Sequence, residues 1–252
     1  MRYLGGKARL GGRIVQAILD DLGVKRIGVA VDLCSGAGGV THRLADVSDK
    51  VFAVEAHPGL VALMRAVQGG WAPPTAVTRE EYKASFALPV GDPLATFMGF
   101  GCAFAGDWRH GFAFDNSGKH NYALQAGNAL RRDSRVNVDH VNADATTWAI
   151  PGGPQVIYCD PPYEGTSGYA AVPTTQPAGT WWRRLADLTS PTCACYLSEY
   201  AEAPPAGVDA RLVWEAQAHG KGLTKGTKTE RLWRVLGWTQ ERDAHLERED
   251  AA

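Results

Sequence analysis

The chain has 252 residues, with 26 Lys and Arg against 27 Asp and Glu, so its formal net charge of -1 gives no global attraction to nucleic acid. A composition 45% hydrophobic and 21% charged supplies the core of one domain, or of one domain with a smaller insertion, and excludes general disorder. No apolar run of about 18 residues and no apolar leader occur, which predicts a soluble, cytoplasmic protein without a membrane segment. The five cysteines, Cys34, Cys102, Cys159, Cys193 and Cys195, form no CxxC pair. They read as reduced thiols, not as a disulfide framework or a zinc knuckle.

In chain order, Gly28 to Leu33 is a short apolar run closing on Cys34-Ser35-Gly36-Ala37-Gly38-Gly39, and Val40 to Ala45 follows with helical character. This predicts a buried strand, a glycine loop and a helix. Val51 to Val54 is a second strand ending on Glu55, and Leu60, Leu63, Met64 and Val67 have helical spacing. The unit is that of a parallel α/β sheet.

From about Gly69 to Arg135 glycines and aromatics replace this alternation, which reads as an inserted segment, substrate-facing or structural. Gln155 to Cys159 is a β-rich run stopped by Asp160-Pro161-Pro162-Tyr163, because prolines cannot continue a ladder. Further strands are predicted over 192–197, 211–214 and 231–236, and residues 241–252 form a charged, solvated tail. Trp181 and Trp182 are adjacent on a helix and point in different directions, so one belongs to the core.

Gly36 and Gly38 let backbone approach a ligand closely, while Thr41 interrupts the GxGxxG pattern that a pyrophosphate requires. Glu55, ending the next strand, is placed to accept hydrogen bonds from ribose hydroxyls. Ribose without pyrophosphate points to S-adenosylmethionine; the same residues also fit a plain tight turn beside a solvated carboxylate. Asp160-Pro161-Pro162-Tyr163 is a stiff turn that fixes a carboxylate, a carbonyl and a ring. Methylation of an exocyclic amino group needs that set: Asp160 and the Pro161 carbonyl accept the amino protons and Tyr163 stacks on the base.

With these motifs assembled, the chain resembles the Dam-type (class D12, alpha-group) adenine-specific DNA methyltransferases, phage-encoded members included. Tyr3-Leu4-Gly5-Gly6-Lys7 is similar to the family's N-terminal motif, in which the aromatic and the lysine contact S-adenosylmethionine. Asp32 to Gly38 is similar to its cofactor loop, although the family's aromatic near Cys34 is missing. Glu55 matches the ribose-binding acid, and Asn142-Ala143-Asp144 the segment beside the cofactor's adenine. Asp160-Pro161-Pro162-Tyr163 followed by Tyr169 matches the catalytic signature, Leu197-Ser198-Glu199-Tyr200 the next strand, and Thr229-Glu230-Arg231-Leu232 the last Glu-containing motif.

The resemblance implies a Rossmann-like α/β sheet dependent on S-adenosylmethionine, in which 1–68 and 136–240 are the catalytic domain and 69–135 is an inserted target-recognition subdomain. It implies a base-flipping enzyme acting on duplex DNA in a bacterial or phage-infected cell, as in restriction-modification, working as a monomer or weak dimer and requiring no metal. The implied catalytic set is Asp160, Pro161, Pro162 and Tyr163. The implied cofactor set is Tyr3, Lys7, Asp32, Gly36, Gly38, Glu55, Asp144 and Asp160.

Basic residues cluster around Arg9, around Arg131 to Arg135 and late in the chain. Arg9, Trp108, Arg109, Asn121, Tyr122, Lys221, Lys225 and Lys228 are the expected DNA contacts, although any one basic cluster alone reads more readily as a solvated face. Cytosine-5 methylation is strongly disfavoured because no Pro-Cys pair exists. Two alternatives remain: methylation of the cytosine amino group, which Asp160 in place of a serine disfavours, and a catalytically silent DNA-binding decoy of the same fold.

Overall fold

The structure is a computed structural model that describes residues 1, 3, 5–163, 176, 177, 179–219 and 227–239. Helix α1, Gly11–Leu22, buries Ile14, Val15, Ile18 and Leu19 along one face. It stops at Gly23, whose left-handed φ of 65° lets its amide cap the last turn. Then follow β1 (Ile27–Asp32), α2 (Thr41–Val47), β2 (Ser48–Glu55) and α3 (Pro58–Gln68). The segment after α3 carries α4 (Arg79–Ala84), α5 (Pro93–Thr96), a π-helical turn over Phe97–Gly101 and α6 (Tyr122–Asp133). The chain returns through β3 (Val138–Asn142), β4 (Val156–Cys159), α7 (Thr180–Leu188), β5 (Ala194–Glu199), β6 (Val208–His219) and β7 (Thr227–Trp238).

These strands form one seven-stranded sheet in the order β3-β2-β1-β4-β5-β7-β6. The first five are parallel; β7 enters antiparallel between β5 and β6. Strands covered on both faces read as unbroken apolar runs, which is why β1, β2, β4 and β5 are evident in the sequence. Their side chains alternate between two cores. Val156, Tyr158 and Tyr196 pack with α1, whereas Ile157, Cys159 and Leu197 pack with Trp182 and Leu185 of α7. Each fully buried side chain such as Ile18 or Leu185 contributes about 1.5–3 kcal/mol. Trp182 is the core member of the tryptophan pair, and Trp181 is half-buried.

A third core joins Leu60, Leu63 and Val67 of α3 to Phe97, Met98, Phe100, Ala126 and Leu130, so residues 69–135 pack directly on the sheet's own helix. That segment is more regular than its glycines and aromatics predict. Thr78 and Glu81 form a reciprocal capping box on α4, and Asp92 caps α5. Among the described residues no helix is long and apolar enough to cross a membrane.

The strand order places a crevice between β1 and β4. From β1 the chain moves outward through β2 and β3, then crosses back to β4, so connections leave β1 and β4 in opposite directions. Ligands of open α/β sheets bind at such a switch point, outside the carboxyl ends of the strands. Asp32, the last residue of β1, pairs with Ala53 and Tyr158, so the glycine loop, Glu55 and Asp160 all emerge on the same edge.

Candidate active site

The N-terminal motif lies over the glycine loop. A Cβ on Gly39 would stand 3.0 Å from the Ala8 amide and 3.1 Å from the Lys7 amide, so a side chain there would push the two segments apart by a few tenths of an ångström. At Gly36, with φ +51°, a Cβ would meet the Tyr3 ring at 2.9 Å. Tyr3 in turn packs on Phe100 at 5.2 Å between ring centroids. The Gly36 amide donates to Glu55 Oε2 at 2.9 Å, and the His57 amide donates to Oε1 at 2.8 Å. Glu55 thus ties the glycine loop to the start of α3, and burial raises its pKa against those two bonds.

Above these residues, at the switch point, lies a cavity of about 370 Å³, a volume within the range of small-molecule sites. Tyr3, Lys7, Asp32, Gly36, Glu55, Asp144 and Asp160 line it, gathered from most of the chain. Gly38 does not: its amide donates to the Ser35 carbonyl at 2.8 Å and, with φ +78°, it turns the loop. Asp144 lines the wall with Oδ1 engaged by the amide and hydroxyl of Thr146.

Two buried polar atoms of cavity-lining residues lack a partner among the described residues. Asp32 Oδ2 accepts from the Thr41 hydroxyl at 2.7 Å, but Oδ1 is unpaired, and burial pushes the carboxyl up to about 7. Thr41, where a dinucleotide fingerprint would carry its last glycine, therefore serves to hold Asp32. His57 Nδ1 accepts the Leu60 amide at 3.2 Å and caps α3, which leaves Nε2 to carry the proton, unpaired. Burial and the nearby Arg109 guanidinium disfavour its cationic form. Orphaned groups of this kind mark where a ligand supplies the missing partner.

At the end of β4, Lys7 Nζ stands 2.8 Å from Asp160 Oδ1, 3.6 Å from Glu230 Oε1 and 4.7 Å above the Tyr163 ring. Burial works against the lysine's charge, but Asp160 and Glu230 outweigh it and its pKa rises. The Tyr163 hydroxyl donates towards Asp160 Oδ1 at 2.8 Å and Glu230 Oε1 at 2.5 Å. Asp160 Oδ1 therefore has two donors within reach, Lys7 Nζ and the Tyr163 hydroxyl, the second shared with Glu230. Glu230, 1% exposed, is pushed up to about 7 by burial, against the pull of Lys7.

Tyr163 departs from the expected stacking platform. It is 8% exposed, with Lys7 on its ring and Tyr200 edge-on at 4.2 Å, because its hydroxyl has two carboxylates to satisfy. Pro161 is buried and Pro162 lines the cavity, as does the half-buried Trp181. Glu230, His57, Phe100 and Trp181 are among the residues at or beside the cavity that the candidate sets omit. The sequence carries a signal for Glu230, in Thr229-Glu230-Arg231-Leu232, and for Trp181, in a tryptophan pair able to stack on bases of which one member belongs to the core.

The expected nucleic-acid contacts scatter. Arg9 is exposed beside the N-terminal motif, and Lys228 lies 4.7 Å above the Tyr200 ring. Trp108 packs at 4.9 Å from His57 and 4.8 Å from Phe100 and is part of the wall behind the cavity. Arg109, in the left-handed region at φ +54°, lies between the Phe86 and Trp108 rings, and its Nε and Nη2 have no hydrogen-bond partner among the described residues. Asn121 is engaged within the chain: Oδ1 accepts the Leu124 amide as the cap of α6, and Nδ2 donates to the Thr75 carbonyl. Tyr122 stacks on His120. Tyr169, Lys221, Lys225 and the tail from 241 lie outside the described residues.

No family model and no curated protein matches the chain. Among solved structures it is similar to the rRNA methyltransferase aviRa from Streptomyces viridochromogenes, with 18% identity and a TM-score of 0.47 over 92% of this chain and 86% of that one. It is also similar to a dimethyladenosine transferase from Plasmodium falciparum, at 8% identity and a TM-score of 0.45 over 91% and 62%. A third is the 23S rRNA methyltransferase ErmE, at 13% and 0.44 over 91% and 69%. Five parallel strands with a sixth position filled antiparallel by the last strand, and a cavity at the β1/β4 switch point, give this chain the Rossmann-like methyltransferase fold.

Proposed function

We propose that this chain is an S-adenosylmethionine-dependent methyltransferase acting on the exocyclic amino group of adenine in DNA. The observation that carries the reading is Asp160: Oδ1 is engaged by Lys7 and Tyr163, while the residue lines the cavity, so Oδ2 is the oxygen available to an incoming amine.

The residues present fit the cofactor. Asp32 Oδ1, buried and unpaired, suits the ammonium of its methionine portion. Glu55 keeps acceptor capacity beyond its two amide bonds for ribose hydroxyls, and Tyr3, Phe100 and Asp144 form the surrounding wall. Bound there, the cofactor supplies an electrophilic methyl group on a sulfonium.

The chain's own part is positioning. Asp160 Oδ2 and the Pro161 carbonyl accept the two amino hydrogens, which turns the nitrogen lone pair away from them and into the cavity. Lys7 compensates the Asp160 charge from within the chain, at Oδ1. Trp181 lines the cavity and can stack on a flipped base, the role that the buried Tyr163 ring does not offer. Residues 69–135 form the target-recognition segment in this reading, with Arg9, Arg109 and Lys228 as phosphate or base contacts.

Purified protein incubated with methyl-labelled S-adenosylmethionine and unmethylated duplex DNA, or in parallel with RNA, tests this after digestion to nucleosides. Label in N6-methyladenine from DNA is expected. Label confined to RNA or to cytosine would replace the acceptor. No label, with cofactor binding demonstrated, would overturn catalysis in favour of the silent binder.

A further inference from the structure

Asp160 and Glu230 compete for one phenolic proton. The Tyr163 oxygen lies 2.8 Å from Asp160 Oδ1 and 2.5 Å from Glu230 Oε1, and a phenol can donate to one carboxylate at a time. Lys7 stands between the same two carboxylates, at 2.8 and 3.6 Å. Glu230 reaches this point from the start of β7, which pairs with β5 so that Arg231 faces Glu199. Tyr158 and Tyr200 are the other titratable groups that feel Glu230, and neither carries a compensating charge.

We propose that Glu230 is a positioning residue for Asp160: through Tyr163 it decides whether Asp160 Oδ1 carries one donor or two. When Glu230 is ionised it draws the Tyr163 hydroxyl and part of the Lys7 charge to itself. Asp160, less compensated, then accepts more strongly from the substrate amine at Oδ2. When Glu230 is protonated, its own hydroxyl donates to the Tyr163 oxygen, the phenolic proton turns to Asp160, and Lys7 serves Asp160 alone. Only the Glu230 proton is exchanged, with solvent; no bond of the substrate is involved. This rests on the function proposed above, and it gives Glu230 no contact with substrate or cofactor.

The test is Glu230→Gln, isosteric and unable to ionise, beside Tyr163→Phe. Wild-type kcat is expected to rise with pH through about 7, the value to which Glu230 is pushed. In Glu230→Gln that limb disappears and kcat above the limb falls about tenfold, the scale of one charge-assisted hydrogen bond, with KM for S-adenosylmethionine unchanged. A merely structural Glu230 would lower stability and leave the limb in place, and a retained limb overturns the proposal.

A second readout needs no turnover. In cofactor-free protein, Glu230 titrates at about 7 when folded against 4.5 when unfolded, so it costs stability progressively between those values. The Glu230 part of that decline is expected in wild type on top of the part due to Asp32, is lost in Glu230→Gln while the Asp32 part remains, and moves to higher pH in Tyr163→Phe, which removes a donor to the ionised form. An unshifted midpoint in Tyr163→Phe overturns the coupling. Absence of methylation in every variant would count against the proposed function alone, and the titration would still decide the role of Glu230.

Discussion

The carboxylate of Glu55 accepts the backbone amide of Gly36 at 2.9 Å, so the acid expected to bind a ribose also fixes the loop across from it. Glu55→Ala removes this bond and the one from His57. The expected cost is about 1–3 kcal/mol of unfolding free energy, because amides are left without acceptors. Cofactor affinity should fall by more than tenfold. Urea denaturation and calorimetric titration with S-adenosylmethionine separate the two effects; unchanged affinity would remove Glu55 from the cofactor site.

Asp160→Asn keeps the shape of the turn and loses the charge facing Lys7. Turnover should fall by about 10²–10⁴, while cofactor binding stays within a few fold. Single-turnover kinetics beside equilibrium binding checks this, and retained turnover would refute the role of Asp160.

Asp32 carries the clearest pH signature on binding. Its folded carboxyl is raised from 3.8 to about 7 by burial, so its contribution to stability is full below 3.8 and is lost as pH rises to 7. A cationic ammonium at Oδ1 favours the ionised form. Cofactor affinity should therefore increase with pH through about 7, with proton release near neutrality. Titration calorimetry in buffers of different ionisation enthalpy measures that release, and Asp32→Asn should abolish it.

Gly36→Ala puts a methyl group 2.9 Å from the Tyr3 ring at a φ of +51°. The backbone conformation alone costs about 1–2 kcal/mol, and Tyr3 must leave its place against Phe100. Thermal denaturation should show the loss, and Tyr3→Ala combined with Gly36→Ala should cost less than the two separate losses added.

Asn121→Ala distinguishes a helix cap from a nucleic-acid contact. The cap is worth about 1 kcal/mol, so unfolding should shift while DNA affinity in a filter or fluorescence assay stays unchanged. Arg109→Lys is its counterpart: it removes the planar fork held between Phe86 and Trp108, and should weaken DNA binding with little change in unfolding.

The sheet was legible where strands are buried on both faces. Gly28 to Leu33, Val51 to Val54 and Gln155 to Cys159 are apolar runs ended by glycine, glutamate or proline, and those endings are where the site lies. Strand β3 was not, because Val138-Asp139-His140-Val141-Asn142 is a half-exposed edge with no clean period. Helix α1 escaped for a different reason: it opens on Gly11-Gly12, residues that ordinarily break helices. Asn121 precedes a helical segment and has the signature of a cap, a local signal that its assignment as a DNA contact passed over. The position of Glu230 next to Asp160 had no local cue, since it depends on β7 entering the sheet antiparallel.

That late antiparallel strand also sets an order of assembly. Lys7 precedes α1, Asp160 follows β4 and Glu230 lies on β7, and the three meet within one cluster. A nascent polypeptide still lacking β7 has its glycine loop and β4 turn in hand, but nothing to share the Lys7 charge or to take the Tyr163 hydroxyl from Asp160. The polar cluster around Asp160 is therefore completed only after Glu230 has emerged from the ribosome.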